Sequence, residues 1–161
     1  MTYFLRNFAP KSRYMTIKEI GTESRTDQLI GNLVRLWDGS VRVTHHFLSP
    51  TDITRLRPFV EQGLRSIPSL GVAMADGQEV GFIGVDGDKI EMLFVEAQAI
   101  GHGVGRQLLE WATTRKSATR IDVNEQNNHA AAVYRHWGFT VYERTPVDDQ
   151  GNPFPILRMK K

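Results

Sequence analysis

The stretch VEAQAIGHGVGRQLLEWA, residues 95–112, places glycine at every second position, Gly101, Gly103 and Gly105, just where an apolar run gives way to a helical pattern. Glycine has no Cβ and accepts φ > 0, so this spacing lets successive backbone N–H groups turn toward one point. The helix behind them adds its own unpaired N–H groups and the positive end of its dipole. A phosphate or pyrophosphate is the natural guest of such a loop. Arg106, in the first helical turn, opposes the dipole but complements a phosphate.

The flanking pattern is strand, glycine loop, helix, strand. KIEMLFV (residues 89–95) reads as a strand, Val104–Lys116 as a helix with Val104, Leu108, Leu109, Trp111 and Ala112 on one face, and RIDVN (residues 120–124) as a second strand. A crossover of this kind makes the two strands parallel. Elsewhere the chain reads as a short strand MTIKEI from Met15, a helix through Leu29, Leu33, Leu36 and Trp37, and a second helix ITRLRPFVEQGLRSI that Pro58 should start late or kink. Three apolar runs divided by DGQ and DGD form an antiparallel meander ending at residue 95. After RIDVN comes a helix NNHAAAVYRHWG that stops at Gly138, then two strands, FTVYERT and FPILRMK. The chain is therefore expected to be α/β of the α+β kind, with a mixed, mostly antiparallel sheet.

Two other phosphate loops do not fit. The triphosphatase loop needs G-x-x-x-x-G-K-[ST], and neither that spacing nor the Lys-Ser/Thr pair is present. The dinucleotide fingerprint needs G-x-G-x-x-G; Glu125 sits near the required acidic position, but only 56 residues follow Gly105, too few for repeated βαβ units. A tight turn alone would need one glycine.

Composition bounds the rest. A chain of 161 residues suits one domain, taken as 15–161. Residues 1–14 carry Arg6, Lys11 and Arg13 and no acid, and read as a disordered arm, an extension upstream of a start at Met15, or an intermolecular clasp. From Met15 onward 17 basic residues face 18 acidic ones, so nucleic acid is not expected as the main partner. No run of 18 apolar residues and no leader pattern is seen, which leads us to expect a cytoplasmic protein without membrane association. The chain has no cysteine, which excludes acyl-cysteine chemistry and thiolate metal sites; no H-E-x-x-H spacing occurs, so no metal is expected.

Gln98, Gly101 and Gly103 in QAIGHG match the Q/R-x-x-G-x-G/A signature of the GNAT superfamily, the Gcn5-related N-acetyltransferases. A second block, NEQNNHAAAVYRHWGF, resembles that family's N-x-x-A-x-x-x-Y-x-x-x-G-F element with Asn127, Ala130, Tyr134, Gly138 and Phe139 in register. THHFLS, VNEQN and VDDQGNPFPIL resemble a bacterial subgroup of small GNAT proteins of generally unassigned substrate. Ile100 departs from the basic residue many members carry before the first glycine, and Arg106 is placed to compensate.

The resemblance implies a GNAT fold: a seven-stranded sheet with a splayed parallel pair, flanked by about four helices. It also implies acetyl-CoA as cosubstrate, held in the cleft where that pair splays. Cofactor contacts would then come from Leu93, Phe94, Val95, Gln98, Gly101, His102, Gly103, Val104, Gly105, Arg106, Asn127 and Tyr134. A main-chain N–H near Leu93–Val95 would polarise the thioester carbonyl. Tyr134 becomes the candidate acid for the departing thiolate, since a phenol titrating near 10 is protonated at neutral pH. Glu91, two residues before Leu93, would share its face by strand alternation and is the candidate base. His45 and His46, at the junction of the early helices, border the implied acceptor pocket, where one of them would bind the acceptor or relay a proton unless it only holds the loop, while His102 between the loop glycines is expected to face solvent and His129 and His136 to sit on the helix surface or pack. The activity implied is direct acetyl transfer to a primary amine of a small molecule or peptide. A non-catalytic CoA-binding or regulatory module is the alternative, as is an acetylating toxin acting on aminoacyl-tRNA, which the near-neutral body disfavours. The turn-rich segment around Asp148–Pro153 could serve a homodimer or cover the acceptor pocket.

Overall fold

A computed structural model describes residues 15–161; the expectation for residues 1–14 lies outside it. In chain order the elements are β1 (Thr16–Glu19), α1 (Asp27–Thr44), α2 (Pro50–Ser66), β2 (Ser69–Ala75), β3 (Gln78–Asp86), β4 (Lys89–Val95), α3 (Val104–Arg115), β5 (Arg120–Asn124), α4 (Asn128–His136), β6 (Thr140–Thr145) and β7 (Ile156–Lys160). The strands form one seven-stranded sheet ordered β1-β2-β3-β4-β5-β7-β6. Every pairing is antiparallel except β4 with β5. The expected mixed sheet and its four helices are thus present.

The helices divide between the two faces. Leu33, Trp37, Leu64 and Ile53 of α1 and α2 bury against Leu70, Val72 and Phe82 on one face, while α3 and α4 cover Ile83, Ile121, Leu157 and Met159 on the other. Helix α3 packs closely over a glycine of the sheet. A Cβ at Gly81 would come 2.9 Å from both Val104 and Leu108 and 3.1 Å from the Phe94 carbonyl. No helix among the described residues is long and apolar enough to cross a membrane.

Helix α2 begins earlier than the hydrophobic pattern suggested and passes through Pro58 without interruption. Ser49 and Asp52 form a capping box: the Ser49 hydroxyl accepts from the Asp52 N–H at 3.1 Å and the Asp52 carboxylate accepts from the Ser49 N–H at 2.9 Å. That cap, with Pro50 in the first turn, starts the helix three residues ahead of Ile53. Thr26 caps α1 and Asn127 caps α4 through side-chain oxygens, whereas α3 starts on Gly103 with no side-chain cap.

The parallel pair is short. Only Lys89 with Arg120 and Ile90 with Ile121 are paired, after which β4 and β5 diverge. A cluster of charges pins the join: Lys89 Nζ lies 2.8 Å from the Asp122 carboxylate, which Arg158 also meets at 2.6 Å.

Candidate active site

The gap between β4 and β5 opens into two adjoining cavities of about 370 and 170 Å³. His45, Leu93, Phe94, Asn127 and Tyr134 line both. The larger runs to the glycine loop and takes Gly101, Gly103, Gly105 and Arg106 into its wall. Among the described residues its lining includes no carboxylate, and Arg106 is its one guanidinium. The smaller holds Glu91 and Asp122. One cavity is therefore suited to an anion and an apolar chain, the other to a cation.

Gly101 and Gly103 have φ of 85° and 87°, a left-handed backbone that other residues rarely adopt, and a Cβ at either would meet nothing within 4 Å. Here glycine serves the backbone turn and not close packing. The first N–H that α3 satisfies by its own carbonyls is that of Gln107, to Gly103. The N–H groups of Val104, Gly105 and Arg106 precede it, with no cap and no acid in the first turn.

The β4 edge supplies a second set of main-chain groups. The Glu96 N–H donates to the Val80 carbonyl at 2.9 Å, and antiparallel alternation then commits the main-chain groups of Phe94 and Met92 to β3 as well. Those of Leu93 and Val95 point the other way, toward the gap β5 has vacated. The Phe94 ring sits between Phe82, at 5.6 Å, and His45, at 6.2 Å between centroids.

Glu91 reaches the smaller cavity, but the alternation argument for it does not hold. Gly84 pairs with Met92 and Val85 with Ile90, which leaves Glu91 as the extra residue of a bulge. Ile90 and Leu93 consequently pack into the same cluster while Met92 faces the opposite one. The Glu91 side chain is 41% exposed, with Lys89 Nζ 3.6 Å away. Asp122 is bound tightly by Lys89 and Arg158, so Glu91 is the less committed of the two carboxylates.

Tyr134 is buried on α4, its ring edge-on to Phe139 at 6.4 Å. Burial pushes its phenol above the ordinary value, so it is protonated at neutral pH. Asn127 uses its side-chain oxygen to accept the Ala130 N–H at 3.2 Å while still lining both cavities.

His45 caps the C-terminus of α1, and its burial, followed by the neighbouring His46, pushes its pKa down to about 4. Between about pH 4 and 6.5 the unfolded chain therefore binds more protons at this residue than the folded one, and stability rises with pH across that window. His45→Gln is expected to flatten the pH dependence of the unfolding free energy there by roughly 2–3 kcal/mol, read from urea melts at pH 4.5 and 7. Equal slopes in both proteins would contradict it.

Gln98, His102 and His46 are exposed and line neither cavity, and the Val104 side chain is buried in the core. The solvent-facing placement expected of His102 is what the structure has. Residues not assigned to the site from the sequence complete the larger cavity: Ser40 and Thr44 from α1, Val133 and Trp137 from α4 and its end, the motif alanine Ala130, and His129, which was expected only on the helix surface or in packing and lies exposed at the cavity wall. Ala130, Val133, Tyr134 and Trp137 fall at i, i+3, i+4 and i+7, the spacing of one stripe along a helix.

A family model described as an acetyltransferase (GNAT) domain matches residues 68–141. The peptidyl-lysine N-acetyltransferase YjaB of Salmonella typhimurium is 38% identical over 128 residues, covering 79% of this chain and 88% of that protein. The solution structure of apo-form YjaB from Escherichia coli superposes with a TM-score of 0.79 at 36% identity, covering 91% of this chain and 96% of that one. The PaiA N-acetyltransferase of Thermoplasma acidophilum, solved in complex with coenzyme A, shares the fold at a TM-score of 0.66 and 19% identity, with 91% of this chain and 99% of that one covered.

Proposed function

From the premise that this chain belongs to the GNAT acetyltransferase family and is an acyltransferase, we propose that it moves the acetyl group of acetyl-CoA directly to a primary amine, a lysine side chain of a polypeptide in preference to a small amine. The observation that carries the reading is the division of the gap into a carboxylate-free cavity ending on bare N–H groups and an adjoining acidic one. The peptide preference is supported by the names of the relatives at 38% identity.

Bound in the larger cavity, acetyl-CoA supplies an activated thioester carbonyl. The N–H groups of Gly103–Arg106, with the Arg106 guanidinium, would hold its pyrophosphate. The gap-facing N–H and C=O groups of Leu93 and Val95 would grip the amide-bearing arm as a neighbouring strand does, and a Leu93–Val95 N–H would polarise the carbonyl. Glu91, the less committed carboxylate, would draw the acceptor's ammonium into the smaller cavity. Tyr134, which lines both cavities, would protonate the departing sulfur.

Calorimetric titration with acetyl-CoA tests the reading. Wild-type protein is expected to bind, and Gly103→Glu to bind ten- to a hundredfold more weakly, because a side chain at φ 87° strains the loop and a carboxylate stands where the anion belongs. Thiol release with a lysine-containing peptide, compared with a small polyamine, then tests the acceptor class. Absence of acetyl-CoA binding by the wild-type protein would overturn the proposal.

A further inference from the structure

The His45 imidazole is held by a short chain of hydrogen bonds that decides where its proton sits. The Thr44 hydroxyl lies 2.8 Å from the Ser40 carbonyl, a group that can only accept, and 2.7 Å from His45 Nδ1. A hydroxyl has one proton. Directed to Nδ1, it would leave two oxygen atoms facing each other at 2.8 Å with no hydrogen between them. Directed to Ser40, it leaves the Thr44 oxygen to accept from Nδ1–H, and both contacts are satisfied. Nε2 then carries the lone pair. It makes no hydrogen bond among the described residues and is not among the sealed polar atoms without a partner, so it is accessible, on a ring that lines the cleft. Phe47, 5.4 Å from the ring, and Phe94 fix the plane of the imidazole.

We propose that His45 takes the proton from the acceptor amine through Nε2, with Thr44 as the positioning residue that fixes its tautomer. The inference rests on the acetyltransferase reading above and replaces Glu91 as base. An imidazole with one nitrogen oriented by a hydroxyl and the other open is the arrangement of a directed proton acceptor. The charged and titratable groups around it are His46 on its own segment, Glu91 on β4, Asp122 on β5, Arg106 on α3, and His129 and Tyr134 on α4. Asp122 is already met by Lys89 and Arg158, which leaves Glu91 to favour a cation on either side of the transfer, and moving the proton from ammonium to imidazole leaves the charge of the cavity unchanged. Burial keeps His45 neutral, with its lone pair free, across the physiological range; the same low basicity makes the proton transfer from the ammonium uphill, so it must be drawn forward by formation of the bond to the acetyl carbon. The nitrogen, freed of one proton, uses its lone pair to form the bond to the acetyl carbon. Tyr134 protonates the sulfur as the carbon–sulfur bond breaks, the phenolate recovers a second proton from the nitrogen, and the imidazolium releases the first to solvent. One amide, one thiol and one proton leave for each ammonium and thioester consumed.

The test is a two-bond 1H–15N spectrum of the histidine rings, with His45 assigned by His45→Gln, alongside steady-state kinetics on a lysine peptide. We expect the Nδ1–H form in the wild type and in Thr44→Ser, and a mixture of tautomers in Thr44→Val. kcat should fall about tenfold in Thr44→Val and about a hundredfold in His45→Gln, with acceptor KM little changed. Thr44→Ser should restore kcat, which loss of helix-end packing alone would not explain. An Nε2–H form in the wild type, or a mixed tautomer with undiminished kcat, would overturn the assignment. The spectrum needs no turnover, so a failure of the tautomer and a failure of acetyl transfer are told apart.

Discussion

Tyr134→Phe should lower kcat by two to four orders of magnitude while leaving acetyl-CoA affinity within a few fold. The substitution removes one oxygen from a buried ring and keeps the edge contact with Phe139, so the fold should be retained. What would disappear, on the proposed mechanism, is the proton donor for the departing sulfur. Burial raises the phenol, which at first sight weakens it as an acid. The same desolvation raises the basicity of a thiolate held in that cleft, so the proton still passes from oxygen to sulfur. Steady-state thiol release, with calorimetry of acetyl-CoA binding on the same preparation, separates the two quantities. A variant with unchanged kcat would show that solvent supplies the proton and that Tyr134 is only core.

Gly81→Val is expected to cost about 3 kcal/mol and to lower Tm by roughly 10 °C. The new side chain would meet Val104, whose branched side chain has little freedom to turn away, and the Phe94 carbonyl, which is main chain. Helix α3 must then lift from β3. Because the glycine loop is the start of that helix, acetyl-CoA affinity should fall with stability although Gly81 lines neither cavity. Gly39→Ala, on α1 with open space around the added carbon, is the control and should be neutral or stabilising by about 0.5–1 kcal/mol. Melting curves of the three proteins decide it; equal Tm values would mean that the sheet accommodates a side chain beneath α3.

The elements were legible because each carries its own signal. DGQ and DGD mark both hairpins of the meander, and the Asp76-Gly77 turn has positive φ at both residues, as a two-residue hairpin turn requires. Gly138, with φ of 93°, stops α4 where the sequence indicated. The start of α2 is hidden from the hydrophobic pattern because its apolar face begins at Ile53, whereas the capping box that begins the helix is polar. Pro58 broke nothing, since a helix already formed around it tolerates one missing donor when packing on the sheet holds the rest.

The site was legible where main chain forms it and less so where side chains do. Gly101 and Gly103 declare their backbone role in the sequence. Glu91 could not be placed by counting from Leu93, because a bulge is a property of the pairing with β3 and leaves no mark in KIEMLFV. His45 and His46 are equivalent as letters; only the end of α1 turns one inward and the other out. The α4 wall was open to prediction, since Ala130, Val133 and Trp137 follow from Tyr134 by helical spacing once that residue is taken to face the cleft.

The seam that β5 leaves along β4 also bears on how such a protein can change over generations. Leu93 and Val95 present peptide groups to it, and peptide groups are the same whatever side chain each residue carries. A mutation there alters packing and leaves the donors and acceptors in place. His45 and Glu91 present side chains, so a single substitution rewrites what they can recognise. The two halves of the gap can therefore drift at different speeds: a lineage can exchange one acceptor for another while the recognition written in peptide groups passes down intact.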